Sequence, residues 1–242
     1  MATIDAPVKS LFSPERYPAV KAIIDAEIDS GHSLADMVGE KIFAQIIQGE
    51  LPSGTRLKST EVAQTLGVSR TPVAKAMAKL TADGILTQPN NYRAAVVAGA
   101  SHWLVQMHEL RQIIEPEASA RAAGKIDADV LRDLQSLASD AAPTDEYDWT
   151  EAAQFFDFAL HLSIAQFCGN LPLAVSVRKC WSYKQSSYQL LQGSRSAQLE
   201  PEYHQHVAIL KSLADGDSEA ARREMTAHLE AAWRSRYAER VV

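Results

Sequence analysis

The sequence predicts a mainly α-helical chain: a small N-terminal module of helices closed by a hairpin, then an all-helical bundle of about six helices. Three observations predict it. Apolar residues recur at helical spacing along most of the 242 residues. Period-two alternation is confined to ILTQ and RAAVVA, either side of the turn QPNNY. Beyond residue 100, breaks fall at Gly124, Pro143, Gly169-Asn170, Gly193 and Gly216, marking candidate helices at about 102–123, 127–141, 147–168, 171–192, 201–215 and 217–239.

Composition narrows the class. A 46% hydrophobic fraction suits a packed chain and excludes wholesale disorder. No run approaches the roughly 18–20 apolar residues of a membrane span, and the first residues lack an apolar core of signal-peptide length. Cys168 and Cys180 cannot form a disulfide framework or a four-thiolate zinc site. A cytoplasmic location without membrane attachment is the expectation.

Residues 14–31 read as a short helix, with Pro18 early, Val20, Ile23, Ile24 and Ile28 at helical spacing and Gly31 at its end. From Ser33, a plausible N-cap, Leu34, Met37, Val38, Ile42, Ile46 and Ile47 form an apolar stripe that Gly49 stops. The turn LPSGTRL leads to a helix over Thr60–Leu66; Gly67 breaks it, and Ser69 caps a third helix reaching about Asp83. With Val62, Ala63, Leu66, Val68, Val73, Met77 and Leu80 facing inward, this is helix-turn-helix spacing, and the hairpin after Gly84 is its wing. The expected division is an extension over 1–32, a winged helix-turn-helix domain over 33–99 and a helical bundle over 100–242. Charge divides similarly, at −2, +2 and −6 for the three parts. A basic module beside an acidic one is the pattern when only one part meets a polyanion.

A recognition helix presents its first residues to base edges and phosphates. Ser69, Arg70 and Thr71 begin that helix here, and Arg70 has the planar fork for bidentate contact to guanine. Ser69 and Thr71 suit phosphate oxygens, assisted by the N–H groups at the positive helix end. Arg56, Lys58, Lys75, Lys79 and Arg93 are candidates for phosphate neutralisation or wing contact, solvated surface charge being the plainer reading of each lysine.

A second constellation lies in the helical part. Asp157 and His161, four apart, share one helix face. His206 and His228 each lie 11 residues from Asp217, so an antiparallel hairpin about that turn brings both to one height. One carboxylate and three imidazoles form a ligand set for a divalent transition metal, Zn²⁺ first with Ni²⁺ or Mn²⁺ as alternatives, and too rich in nitrogen for Ca²⁺ or Mg²⁺. His204 points elsewhere around its helix, and His32, His102 and His108 have no such spacing. Four ligands leave one or two positions on an octahedral ion, for which a small carboxylate is the natural guest. Asn170, Tyr183, Gln185 and Ser187 are polar candidates around it, while Trp181, Phe155, Phe156, Phe158 and Phe167 read as core.

These motifs together resemble a known family. GELPSGTRL, LGVSRTPV and ADGIL are similar to the winged helix of GntR-type regulators. MHELRQIIEPEASARAA, DFALH, CGN, HVAIL, GD and AHL are similar to the FCD-type effector domain of the FadR subfamily. The resemblance points to the same four metal positions and implies that Arg111 binds effector; the alternative for Arg111 is an ion pair with Glu115 one turn on. It further implies a homodimeric transcriptional regulator, a repressor rather than an enzyme, acting on a palindromic double-stranded operator and a small organic acid. Two departures stand out. Ala74 replaces an arginine of the recognition helix, with Lys75 one position on, and Ala94 replaces a wing glycine, so altered base readout is expected. Two other readings remain at this point: a metal-dependent hydrolase or lyase using the Asp/His₃ site, and a metal sensor without an organic effector.

Overall fold

The computed structural model describes residues 12–28, 33–90, 93–182 and 196–237. These hold ten α-helices and one three-stranded sheet, and they divide into two compact units. One unit comprises described residues 33–107; the other comprises 12–28, 108–182 and 196–237. None of the described helices is long and apolar enough to cross a membrane.

The chain enters through a 3₁₀ turn (Pro14–Arg16) and α1 (Pro18–Ile28), both part of the larger, helical unit. The first N–H groups of a helix have no partner within it. In α1 a carboxylate from elsewhere supplies one: Asp133 Oδ2 accepts from the Ala19 and Val20 N–H groups at 2.7 and 3.2 Å. Tyr17, fully buried, donates its hydroxyl to Asp140. The expected end at Gly31 lies outside the described residues.

The smaller unit starts with α2 (Leu34–Ile47), entered through a capping box in which Ser33 and Asp36 satisfy each other's backbone N–H groups. Its buried face is Val38, Ile42, Phe43 and Ile46. The expected stripe is corrected at its start, because Leu34 and Met37 are 48% and 56% exposed. At about 100° per residue, Phe43 draws the buried face round and leaves Met37 on the far side. After β1 (Arg56–Lys58) come α3 (Ser59–Leu66), α4 (Arg70–Ala82), β2 (Leu86–Asn90) and β3 (Arg93–Val96). Strand β1 went unread in the sequence: three residues inside a Pro- and Gly-containing turn give no alternation to detect. It pairs antiparallel with β3, Leu57 opposite Ala94, and completes a sheet ordered β1-β3-β2. Ala94 is therefore buried within a strand rather than at the wing tip, whose residues 91 and 92 lie outside the described set.

The helical unit takes α5 (Trp103–Ala122) from His108 onward, then α6 (Ala128–Asp140), α7 (Thr150–Phe167), α8 (Leu171–Ser182), α9 (Ser196–Ala214) and α10 (Ser218–Tyr237). Helix α7 starts at Thr150 rather than 147, because Asp148 Oδ1 accepts from the Thr150 N–H at 3.0 Å and fixes the entry. Helix α9 starts five residues before Pro201 and carries that proline inside it, as α5 carries Pro116. A proline removes one donor, which can kink a helix without ending it. Helix α7 is buried along most of its faces, as expected of a helix at the middle of a bundle.

Helices α9 and α10 turn at Gly216 (φ +71°), which meets Gly124 (φ +70°) of the α5–α6 turn. A Cβ on Gly124 would lie 3.3 Å from Gly216 Cα, and the Gly124 N–H donates to Leu213 O at 3.0 Å. Gly216→Ala adds left-handed strain at this contact. It should lower stability by about 1–2 kcal/mol, read as a lower thermal midpoint by circular dichroism.

Candidate metal centre and nucleic-acid interface

In the helical unit, α7 carries Asp157 and His161 on one face, while α9 and α10 bring His206 and His228 level across their hairpin. His206 Nε2 lies 3.2 Å from both His228 Nε2 and Asp157 Oδ1. His161 Nε2 is 3.5 Å from the same Asp157 oxygen. One ligand atom from each of the four residues falls within 4.8 Å of the others, and all four side chains are buried.

The residues fit a cation. His161 Nε2 is buried without a hydrogen-bond partner and is aimed into the cluster. Ring nitrogens 3.2 Å apart repel unless a proton or a cation lies between them. Nitrogen-rich donors with one carboxylate suit Zn²⁺ and its first-row neighbours.

The outer nitrogens are also held. His161 Nδ1 lies 2.5 Å from Glu115 Oε2, and His228 Nδ1 lies 2.9 Å from Gln205 Oε1. Acceptor oxygens at these positions place the protons on Nδ1 and leave each Nε2 a lone pair for the centre. Glu115 also receives Arg111 Nε at 2.5 Å and Trp181 Nε1 at 2.9 Å. Burial would push the Glu115 carboxyl up, but Arg111 and His161 outweigh it and hold the group well below the usual carboxylate range. Burial pushes His161 down to about 4 against the opposing pull of Glu115, so the ring is neutral at pH 7.

Arg111 is thus ion-paired with Glu115, and its guanidinium sits 4.4 Å from the Trp181 ring centroid. Trp181 is core, as read, yet it also packs on His161 with ring centroids 4.5 Å apart. Asn170 Oδ1 accepts from the Leu173 N–H in the first turn of α8. Tyr183, Gln185 and Ser187 lie outside the described residues. His204 is exposed, whereas His108 is buried with Nε2 2.8 Å from Leu229 O, on the helix that bears His228. Sequence reasoning missed Glu115 and Gln205 as partners of the ligands: Glu115 is 46 residues from His161, and Gln205 shows no spacing relation to His228.

In the smaller unit, Gly67 (φ +67°) ends α3 and Ser69 is the N-cap of α4, but its hydroxyl makes no capping bond and is exposed. Arg70, Thr71 and Lys75 are exposed on the first two turns. Lys79 sits in the last turn and pairs with Asp36 at 2.9 Å. Lys58 pairs with Glu61 at 2.6 Å. Arg56 and Lys58 of β1 lie opposite Ala95 and Arg93 of β3.

The fold thus combines a winged helix with a helical unit that encloses an Asp/His₃ cluster. Residues 34–96 match the bacterial regulatory proteins, gntR family, and residues 106–231 match the FCD domain. The chain belongs to the gntR family of bacterial regulatory proteins, in the branch carrying an FCD domain. An uncharacterized HTH-type transcriptional regulator of Mycobacterium tuberculosis is 31% identical over 140 residues, 53% of this chain and 57% of that protein. The chain therefore spans little more than half the length of that relative. The probable D-xylose utilization operon transcriptional repressor of Paenarthrobacter nicotinovorans is 27% identical over 82% of this chain and 87% of its own. Among solved structures, E. coli McbR/YncC has a TM-score of 0.58 at 21% identity, covering 86% of this chain and 98% of that one. The Listeria monocytogenes protein Lar has a TM-score of 0.57 at 23% identity, covering 82% and 94%. These two likenesses establish the fold. The family is one of regulators, not enzymes, which sets aside the hydrolase or lyase reading.

The metal-free protein has a predictable acid response. Above about pH 6.5 the His161 ring is neutral folded or unfolded; below it the unfolded chain takes a proton that the buried ring refuses until about 4. Stability should fall over that interval by about 3 kcal/mol from this group. Thermal midpoints of chelator-treated protein against pH should show the slope, and His161→Gln should flatten it.

Proposed function

We propose that this chain is a DNA-binding transcriptional regulator, a repressor, whose operator affinity is set by a small carboxylate bound at a divalent metal in the helical domain. The observation that carries the reading is the buried convergence of Asp157, His161, His206 and His228, with His161 Nε2 aimed inward and without a hydrogen bond. Those four would hold the ion, with Zn²⁺ favoured over Ni²⁺ and Mn²⁺. The metal would supply positive charge and open coordination positions for a carboxylate. Arg111 would meet the effector's second oxygen in competition with Glu115, which holds it at 2.5 Å. Asn170, Tyr183 and Ser187 complete the proposed effector set.

In this reading 33–99 is the DNA-binding domain, 100–242 binds effector and dimerises, and 1–32 is an extension whose α1 supports the helical unit. Two-fold symmetry of a homodimer calls for a palindromic operator. Ser69, Arg70, Thr71 and Lys75 contact DNA from the start of α4, with Arg56, Lys58 and Arg93 at the wing. Lys79 and Lys58 are the weakest of the proposed contacts, since Asp36 and Glu61 neutralise them. A location in the cytoplasm goes with this role.

Metal analysis of protein purified without chelator should find about one transition-metal ion per chain in the wild type and none in His206→Ala. Negligible metal in both would end the metal reading. On DNA from around its own gene, log K should fall linearly with log salt. Arg70→Ala should cost about 1–3 kcal/mol of binding and relax base preference, whereas Lys75→Ala should weaken all sequences alike and reduce the salt slope by about one. Stabilisation by small carboxylates only when metal is present separates this regulator from a sensor of metal alone.

A further inference from the structure

We propose that Glu115 is the positioning residue of the metal centre: it locks His161 in the Nδ1–H tautomer and so presents Nε2 to the ion. The inference rests on the metal reading above and adds a residue outside the ligand set.

Glu115 is 1% exposed, and donors on three helices converge on its carboxylate. Arg111, one turn earlier on α5, supplies Nε at 2.5 Å and Nη2 at 3.4 Å. Trp181 of α8 supplies Nε1 at 2.9 Å, and His161 of α7 supplies Nδ1 at 2.5 Å. Arg111 and Trp181 can only donate, so they fix where the carboxylate oxygens point. With both oxygens held, the bond to His161 leaves its ring one orientation, and the Trp181 face packs against it at 4.5 Å between centroids. An ionised carboxylate only accepts, so the His161 proton resides on Nδ1. The opposite nitrogen, buried and without a hydrogen bond, then carries the lone pair. A carboxylate behind a ligating imidazole raises its basicity as well as orienting it.

The test uses the full chain with two variants. Glu115→Gln keeps an oxygen acceptor for Nδ1–H and loses the charge. The double variant Arg111→Leu/Glu115→Leu removes acceptor and charge together and leaves no orphan ion to unfold the bundle. In metal-free protein, long-range ¹H–¹⁵N correlation of histidine rings should show His161 protonated on Nδ1 in the wild type and in Glu115→Gln. In the double variant it should shift to the Nε2–H form. Zn²⁺ affinity, measured by competition with a chromophoric chelator, should fall about 10- to 100-fold in the double variant and by less in Glu115→Gln. A double variant that keeps the Nδ1–H form, or that binds Zn²⁺ as tightly as the wild type, overturns the proposal alone. Wild-type protein that takes up no Zn²⁺ overturns the metal reading and the proposal with it.

Discussion

Burying three imidazoles and a carboxylate side by side is unfavourable unless every lone pair and proton finds a partner, because an apolar interior returns little of the lost hydration. In the helical unit this requirement organises the centre of the bundle. Asp157, His161, His206, His228, Glu115 and Arg111 are all buried, on four different helices. Ordinary packing would fill that layer with leucine and phenylalanine, which commonly stabilises as well or better than buried ion pairs. The polar layer is therefore a poor device for stability and a good one for gripping a cation. Its outer edge is closed by Glu115 and Gln205, its walls are Trp181 and Phe156, and the inward nitrogen of His161 is left over.

Much of this was legible because it obeys local rules. Asp157 and His161 share a face by helical period alone, and His206 and His228 come level because the chain reverses at Gly216. The winged unit was legible for similar reasons: Gly67 and Ser69 punctuate the two helices where the sequence places them. The misses are non-local or too short to carry a period. Glu115 reads from sequence as the partner of Arg111, and it is, but only the packing of α5 against α7 and α8 shows that the same carboxylate faces His161 and Trp181. Strand β1 is three residues long and exists through its pairing with β3. Leu34 and Met37 fit a helical stripe, yet the face that packs is set by Phe43 farther along.

The cations of the winged unit are not equivalent once their partners are known. Lys79 and Lys58 are each neutralised by a carboxylate, so meeting a phosphate means giving up an existing ion pair. The Ser69 hydroxyl is not spent on capping its own helix, which leaves it and the first α4 N–H groups disposed toward an anion. On the proposed reading this ranks the start of α4 above its end for contact with DNA.

The helix that carries Arg111 and Glu115 is also one of the segments by which the chain passes from one unit to the other, since one division falls after Met107 within α5. Arg111 and Glu115 follow that point by four and eight residues, roughly 6 and 12 Å along the axis at the standard helical rise. On the proposed reading, an anion that draws Arg111 from Glu115 changes the charge balance on that same helix and at the His161 ring that Glu115 holds. If such an anion alters operator affinity, linkage requires operator DNA to alter anion affinity by the same factor. On the proposed reading, the one buried carboxylate that holds both His161 and Arg111 is where the metal and anion equilibria meet.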